Sequence, residues 1–405
     1  MHSVAEASRL VIDRVGKLEI ETVAIDRASG RVLSDDVVAT RPLPGFDNSA
    51  MDGYAARAVD LPATLPVIGE VAAGAVSQTP VPPRSAVRIF TGAPVPPELD
   101  TVVIQEDATL AAGSVALPAA APGDNIRRAG EDIAAGTTVL PRGVRLNAWH
   151  IGVLAALGVH QVEVARAPRV ALIATGDELV DVTTPPGHGQ LVDSSAHALA
   201  ALIAGAGGRA THLGIARDST QQIVDLLAAA RDFDVIITTG GVSVGDRDHV
   251  RTAFDAAGIA LQLYKVAMKP GKPFSFGLRG TTPVFGLPGN PVSTAIAFEL
   301  FVRPALLAMQ GATELARARA SVELVYGYRK PAGRAHYLRA HVARVPDRGP
   351  ASPLHRDYLV AQVHPKQGSG MLSSLITCNA LVEIPAEDTE VPPGGFARAL
   401  LLEAV

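Results

Sequence analysis

Residues 234–248 read DVIITTGGVSVGDRD, and this passage decides the fold. Its first half is a run of Val, Ile and Thr, the residue types that fill a strand buried on both faces. Its second half is a glycine-rich loop ending in charge. A strand feeding directly into such a loop is the unit of an open α/β sheet, whose ligands bind outside the carboxyl ends of the strands. The pattern continues on both sides. Strands are expected over 169–174 and 210–216, and a helix opened by Asp193 over 194–206. A helix to 231 follows, with Ser219 and Gln222 spaced as a capping box. Then come a helix over 249–257 stopped by Gly258, strands over 261–267 and 274–278, and a long helix from Pro291. Residues 169–311 therefore read as a three-layer α/β domain of parallel βαβ units.

The flanks differ from this centre. Ser3 and Glu6 form a capping box for a helix over 4–15. Short β-type runs such as 86–90 and 101–105 then alternate with Pro- and Gly-rich turns at 80–83 and 94–97. Asn147 caps an apolar helix ending at Gly158, and the charged, Pro-containing stretch 166–169 marks a junction. Past Gly311 the helical pattern fades into alternating runs at 337–345, 358–363 and 380–384. The expected organisation is an N-terminal and linker region over 1–168 with a β-rich insert at about 46–140, the α/β domain over 169–311, and a small β-barrel-like domain over 320–405.

Composition narrows the function. At roughly 100–200 residues per domain, 405 residues suit three domains. A chain that is 48% apolar and 19% charged suits a folded, soluble protein. No apolar run approaches the ~18 residues needed to cross a bilayer, and Glu6 and Asp13 replace the basic start of a leader, so a cytoplasmic protein without membrane contact is expected. The single cysteine, Cys378, expected in a core strand, rules out an internal disulfide and a thiolate metal cage. A net charge of -4 argues against bulk nucleic-acid binding. Yet of only six lysines, Lys265, Lys269 and Lys272 fall in one short stretch.

Four loops leave strand ends: residues 175–178 (TGDE), 240–248, 268–273 (MKPGKP) and 287–291 (LPGNP). One glycine- and proline-rich loop merely turns the chain; four at one sheet edge make a rigid polar site. Residues 240–245 have phosphate-loop spacing, but Asp246 and Arg247 stand where Lys and Ser or Thr should follow, which removes Walker-type chemistry. What remains is a nest in which Gly240, Gly241 and Gly245 offer backbone N–H groups and Ser243 a hydroxyl to an anion. Lys269 and Lys272, stiffened by Pro270 and Pro273, suit the same anion. A solvated basic face is the competing reading of these lysines. The carboxylates Glu178, Asp218, Asp246 and Asp248 lie beside these loops and are either caps and turn residues or, near phosphate, ligands of Mg²⁺. No histidine shows metal-ligand spacing.

Seven segments then combine: FDNSAMDGY (46–54), FTGAP (90–94), NIRRAGEDI (125–133), TGDE (175–178), residues 239–248, residues 265–273 and GLPGNP (286–291). Together, over nearly the whole chain, they resemble the molybdopterin molybdenumtransferase family, the MoeA type also found as the E domain of gephyrin. The resemblance implies that molybdate enters the dithiolene of adenylated molybdopterin and that the pyrophosphate link is cleaved to release AMP. It implies active-site roles for Asp52, Thr91, Asp132, Glu178, Asp218 and Asp248. It also places Arg127, Lys265, Lys269, Pro288, Pro291, Arg339 and Ser369 at the substrate, beside Asn290 and Lys272 of the same loops. Lys265, Lys269, Arg127 and Arg339 would hold phosphate or molybdate, and Glu178 and Asp248 would position Mg²⁺ or the attacking water. The family is dimeric, so a homodimer whose second subunit completes the site is implied, with other cofactor-biosynthesis proteins as further partners. Substrate thiols would explain why the chain needs no cysteine cluster. Ser195 stands where the family usually has Asn. Two rivals remain: an adenylyltransferase, which would need only the central domain, and a non-catalytic scaffold.

Overall fold

The structure, a computed structural model, describes residues 1–75, 80–241, 249–346 and 358–403. Its centre is a six-stranded sheet formed by β1 (Arg169–Thr175), β2 (Arg209–Ala216), β3 (Val235–Thr239), β4 (Ala260–Tyr264), β5 (Ser275–Arg279) and β6 (Thr282–Leu287), in the order β2-β1-β3-β6-β5-β4. All five residues of β3 are buried, as a strand without a polar face requires. The sheet is mixed where sequence reading expected parallel units throughout. β2, β1, β3 and β6 are parallel, but β5 runs antiparallel to both β6 and β4. Arg279 pairs with Thr282 across a two-residue turn in which Gly280 has φ 61°, the left-handed geometry of a tight hairpin. β4 stops at Tyr264, short of 267, because Lys265 adopts φ 72°.

Helices cover both faces. On one, Ser194–Gly205 and the helix Pro291–Met309 bury Leu199, Ile203, Ile296 and Phe301 against Leu172, Phe274 and Phe285. On the other, Thr220–Ala229 and His249–Ala256 bury Ile223, Leu227 and Phe254 against Ile173 and Ile236. The three layers expected from sequence are therefore present. Pro291–Met309 is long and apolar enough to cross a membrane, but 89% of its apolar window is buried, and it serves as the core helix. Asp193 caps its helix, with Oδ1 accepting from the Ala196 N–H at 3.1 Å. The box expected at Ser219 does not form: Gln222 Oε1 accepts instead from the Arg217 N–H at 2.9 Å. The Ser3–Glu6 box does form, and its helix Val4–Ile12 buries Ala7 and Val11 in the same core as Pro291–Met309.

The N-terminal third holds a second six-stranded sheet, ordered Thr101–Ile104, Gly53–Ala56, Ala86–Ile89, Ala63–Val71, Ser114–Leu117, Thr109–Ala111. At the other end, β7 (Arg319–Leu324), β8 (Ala335–Val345), β9 (Tyr358–Val363), β10 (Ala380–Ile384) and β11 (Phe396–Leu401) pair as β8-β9-β7-β11-β10, and β10 returns to β8. This closure makes a five-stranded barrel around Val322, Leu338, Val382 and Ala399. Cys378 is buried in the loop before β10 rather than within a strand.

An ion cluster is among the ties between the N-terminal third and the central sheet. Arg166 grips Asp234 with both terminal nitrogens at 2.6 and 2.9 Å and donates through Nε to Glu19 at 2.8 Å. Burial alone would raise the Asp234 pKa, but the hydrogen bonds from Arg166 and the Arg169 N–H outweigh it and hold the carboxyl below its usual range. A depressed carboxyl pKa contributes stability that is complete above the unfolded value of about 3.9 and is lost as pH falls through the folded value. Asp234→Asn should therefore cost about 2 kcal/mol in chemical denaturation at pH 7. It should also show a shallower loss of stability than wild type between pH 5 and the acid limit.

Candidate active site

The carboxyl edge of the central sheet is built on close backbone approach. A Cβ on Gly240 would lie 2.3 Å from the Thr175 carbonyl oxygen, and one on Gly241 would lie 2.3 Å from Val250 Cγ2. Both residues have positive φ, and Gly289 packs against the Gly240 Cα. The loops after β1, β3 and β6 can meet only because no side chain intervenes. The Gly240 N–H is used here as well, donating to the Leu287 carbonyl at 3.1 Å, so it is not one of the free donors expected of an anion nest. Ser243, Gly245, Asp246 and Asp248 lie outside the described residues.

Two adjoining cavities open at this edge, sharing Pro273, Pro288 and Asn290. The larger, about 700 Å³, is lined by Glu178, Asp193 and Asp218, with Gly240, Gly241, Ser195 and Pro291, and among the described residues by no Lys, Arg or His. The smaller, about 550 Å³, is lined by Lys269, Lys272 and Arg334, with Ser293, Gln367 and Ser369, and among the described residues by no Asp or Glu. Opposite charges are thus sorted into neighbouring chambers. Asn290 stands at their boundary. It is the N-cap of the Pro291–Met309 helix yet makes no side-chain cap hydrogen bond, which leaves its amide for a ligand.

Asp193 and Arg334 are the charged lining residues that sequence reading did not assign to the site. Asp193 carried the signature of a helix cap, which it is, but its second oxygen, Oδ2, is buried without a hydrogen-bond partner and lies 3.6 Å from His212 Nε2. Carboxylate oxygens with no competing lysine or arginine suit a hard divalent cation. Mg²⁺ commonly takes one or two such ligands and completes its shell with water and phosphate. Among the described residues no three His, Cys, Asp or Glu side chains are grouped to hold an ion by themselves.

Three of the expected anion ligands, Lys265, Arg339 and Arg127, line neither cavity. Lys265 sits over the Tyr264 ring, its Nζ 5.0 Å from the centroid. Arg339 is fully buried. Its Nε donates to Ser374 Oγ at 2.7 Å and its Nη2 to the carbonyls of Lys366 and Gly368 at 2.8 and 3.1 Å, while Nη1 is buried without a partner. Arg339 thereby shapes the loop that carries Ser369. The Ser369 carbonyl in turn accepts the Val292 N–H at 3.1 Å, fixing this barrel loop on the helix N-terminus.

Asp52, Thr91, Arg127 and Asp132 lie on the N-terminal third and line neither cavity. Asp52 Oδ1 accepts from the Thr91 N–H at 2.8 Å and from Thr91 Oγ1 at 2.7 Å. These two bonds, the backbone one foremost, hold the carboxyl below its usual range. Arg127 is exposed and pairs with Asn48 in a two-residue ladder. The Asp132 N–H donates to the Leu43 carbonyl at 3.1 Å.

This fold and its edge define a multidomain α/β protein with an acidic and a basic cavity side by side. Residues 2–158 match the family model for the MoeA N-terminal region (domain I and II), 171–308 that for a probable molybdopterin binding domain, and 322–402 that for the MoeA C-terminal region (domain IV). Molybdopterin molybdenumtransferase 2 of Mycobacterium tuberculosis is 38% identical, with 97% of this chain and 98% of that protein aligned. Gephyrin of Dictyostelium discoideum is 30% identical over 99% of this chain and 62% of its own length. The crystal structure of the molybdopterin biosynthesis moeA protein from Pyrococcus horikoshii OT3 superposes with a TM-score of 0.84 at 30% identity, covering 99% of this chain and all of that one. The chain belongs to the molybdopterin molybdenumtransferase family.

The glycine contacts are directly testable. Gly240→Ala places a methyl against a backbone oxygen at positive φ. It should lower stability by about 1–3 kcal/mol in urea denaturation and weaken ligand binding at the same edge.

Proposed function

We propose that this protein is an enzyme of molybdenum cofactor biosynthesis that inserts molybdenum from molybdate into adenylated molybdopterin and releases AMP. The observation that carries the reading is the pair of adjoining chambers of opposite charge. A reaction that brings an oxyanion to a phosphoanhydride needs both, one to hold the oxyanion and one to manage charge at the phosphorus.

In the basic chamber Lys269 and Lys272 attract the dianion and Ser369 donates a hydroxyl. In the acidic chamber Glu178 and Asp218 face the adenylate link. Pro288, Asn290 and Pro291 form the shared wall along which the substrate passes from one to the other. Mg²⁺ would be held by Glu178 with Asp248, and when bound it would supply charge neutralisation at the pyrophosphate. The residues of this chain orient the link and keep the oxyanion beside the substrate thiols. Arg339 acts through the Ser369 loop, and Lys265 lies further from the oxyanion than Lys269.

The constellation of Asp52, Thr91, Arg127 and Asp132 is assigned to the site of a second copy. Its residues are ordered by their own hydrogen bonds but border neither chamber, as expected if a cytoplasmic homodimer brings the N-terminal third of one subunit to the sheet edge of the other. Other proteins of the pathway are proposed as further partners.

Glu178→Ala should abolish molybdate-dependent AMP release while leaving the dimer intact by light scattering; an active variant would overturn the role. Subunit sharing has a sharper test. Asp52→Ala and Glu178→Ala proteins, each inactive, should regain about a quarter of wild-type activity when unfolded and refolded together, because half the dimers are hybrids with one intact site in two. No recovery would place both residues in the same subunit's site.

A further inference from the structure

Arg88 stands in the strand Ala86–Ile89 of the N-terminal sheet, directly opposite Tyr54 of the neighbouring strand Gly53–Ala56. Its guanidinium lies 5.0 Å from the centroid of the Tyr54 ring and 5.0 Å from that of Phe90. Two aromatic rings attract a planar cation through their π faces and fix its orientation by stacking. Tyr54 is 6% exposed, so one of the two rings is itself anchored in the core beneath the sheet.

The held guanidinium is directed at the corner that carries Asp52. Nη2 donates to Gln105 Oε1 at 2.6 Å and Nη1 to the Gly53 carbonyl at 3.3 Å. Gln105 closes the same corner from its other side, because its N–H donates to the Asp52 carbonyl at 3.0 Å. Gly53 makes the corner tight: a Cβ there would lie 2.0 Å from the Val103 carbonyl oxygen. Thr91, just past the strand of Arg88, supplies both donors to Asp52 Oδ1. The neighbours of Asp52 in chain and in space are thus gathered around one side chain. Both acceptors of Arg88 are neutral, so these bonds leave its charge uncancelled, and Asp52 lies in its field. The Thr91 bonds do most to hold the Asp52 carboxyl below its usual range, and the Arg88 charge adds to them. A solvated surface arginine needs neither the stack nor the two directed bonds.

We infer that Arg88 is a positioning residue for Asp52: its stacked guanidinium fixes Gly53 and Gln105, and through them the direction of the carboxylate. This rests on the active-site role proposed for Asp52. Arg88 acts from behind that residue and borders neither chamber.

The test uses full-length Arg88→Met and Gln105→Ala, with dimer size and thermal midpoint measured on each. Gln105 is exposed, so its truncation leaves the sheet intact. Arg88→Met should lower kcat for molybdate-dependent AMP release about tenfold or more, with the KM for molybdate nearly constant. Gln105→Ala should show the same pattern with a smaller loss, about threefold. Unfolded and refolded together with Glu178→Ala, Arg88→Met should regain about a quarter of wild-type activity, as expected of Asp52→Ala; refolded with Asp52→Ala it should regain none. A side chain needed only for folding would be complemented by neither. Wild-type kcat in Arg88→Met, or in Gln105→Ala where Arg88→Met does not fold, would overturn this inference alone. Recovery with Asp52→Ala would overturn it too, by assigning Arg88 to the other half of the site. Recovery with neither, while Asp52→Ala and Glu178→Ala complement each other, would make Arg88 a folding residue and overturn it as well. Should that control pair fail to complement, subunit sharing is wrong and the kcat loss at constant KM decides for Arg88. A fully active Asp52→Ala would overturn the role proposed for Asp52 and this inference with it.

Discussion

Thr175, Gly240 and Gly289 approach one another backbone to backbone at the carboxyl edge of the central sheet, and the site depends on that approach. Three loops drawn together by missing side chains leave their flanking residues pointing into a common space. Glu178, Asn290 and Pro291 line one chamber because the glycines and threonine beside them have taken the inside positions. A bulkier residue at 240 would separate the loops and disperse the side chains that the ligand must meet together.

The two chambers sort charge by the element that supplies it. The carboxylates come from loops and a helix cap on the parallel half of the sheet, after β1 and β2 and before the helix Ser194–Gly205. The cations come from the antiparallel half, between β4 and β5, and from the barrel entrance at Arg334. The mixed character of the sheet therefore places the lysine loop at this edge. Had the strands all run parallel, the 265–273 connection would have crossed the sheet instead of standing beside β6 as a short basic arm. In the proposed reaction the carboxylates of one chamber would repel free molybdate and the lysines next door would attract it, so substrate and oxyanion need not compete for one space.

Much of this was legible in sequence because it is local. The Val-Ile-Thr run of β3, the caps at Ser3, Asn147 and Asp193, and the density of Lys269 and Lys272 each lie within a few residues of the feature they signal. The missed features are long-range. The β5–β6 hairpin joins two apolar strands whose composition does not reveal direction; their pairing register does. Arg334 enters the site through a ladder to a distant loop. Arg339 matched a family motif, but nothing in the motif shows that its donors are spent on the carbonyls of Lys366 and Gly368. Asp193 illustrates a different limit: a capping pattern accounts for one carboxylate oxygen and is silent about the other.

The ladder between Met268–Lys269 and β8 also sets an order of events during folding. The acidic chamber takes only Gly370 and Leu372 from the barrel end of the chain, and most of it forms when the α/β sheet forms. The basic chamber needs the barrel docked, since Lys269 is registered against His336 and the Ser369 loop is fastened to Val292. Contacts between such distant parts of the chain close late, because their loop entropy is spent before they return any stability. On the proposed function, affinity for an oxyanion would then be among the last properties the chain acquires, and a partly folded molecule would hold the carboxylates in place while lacking the chamber meant for the metal.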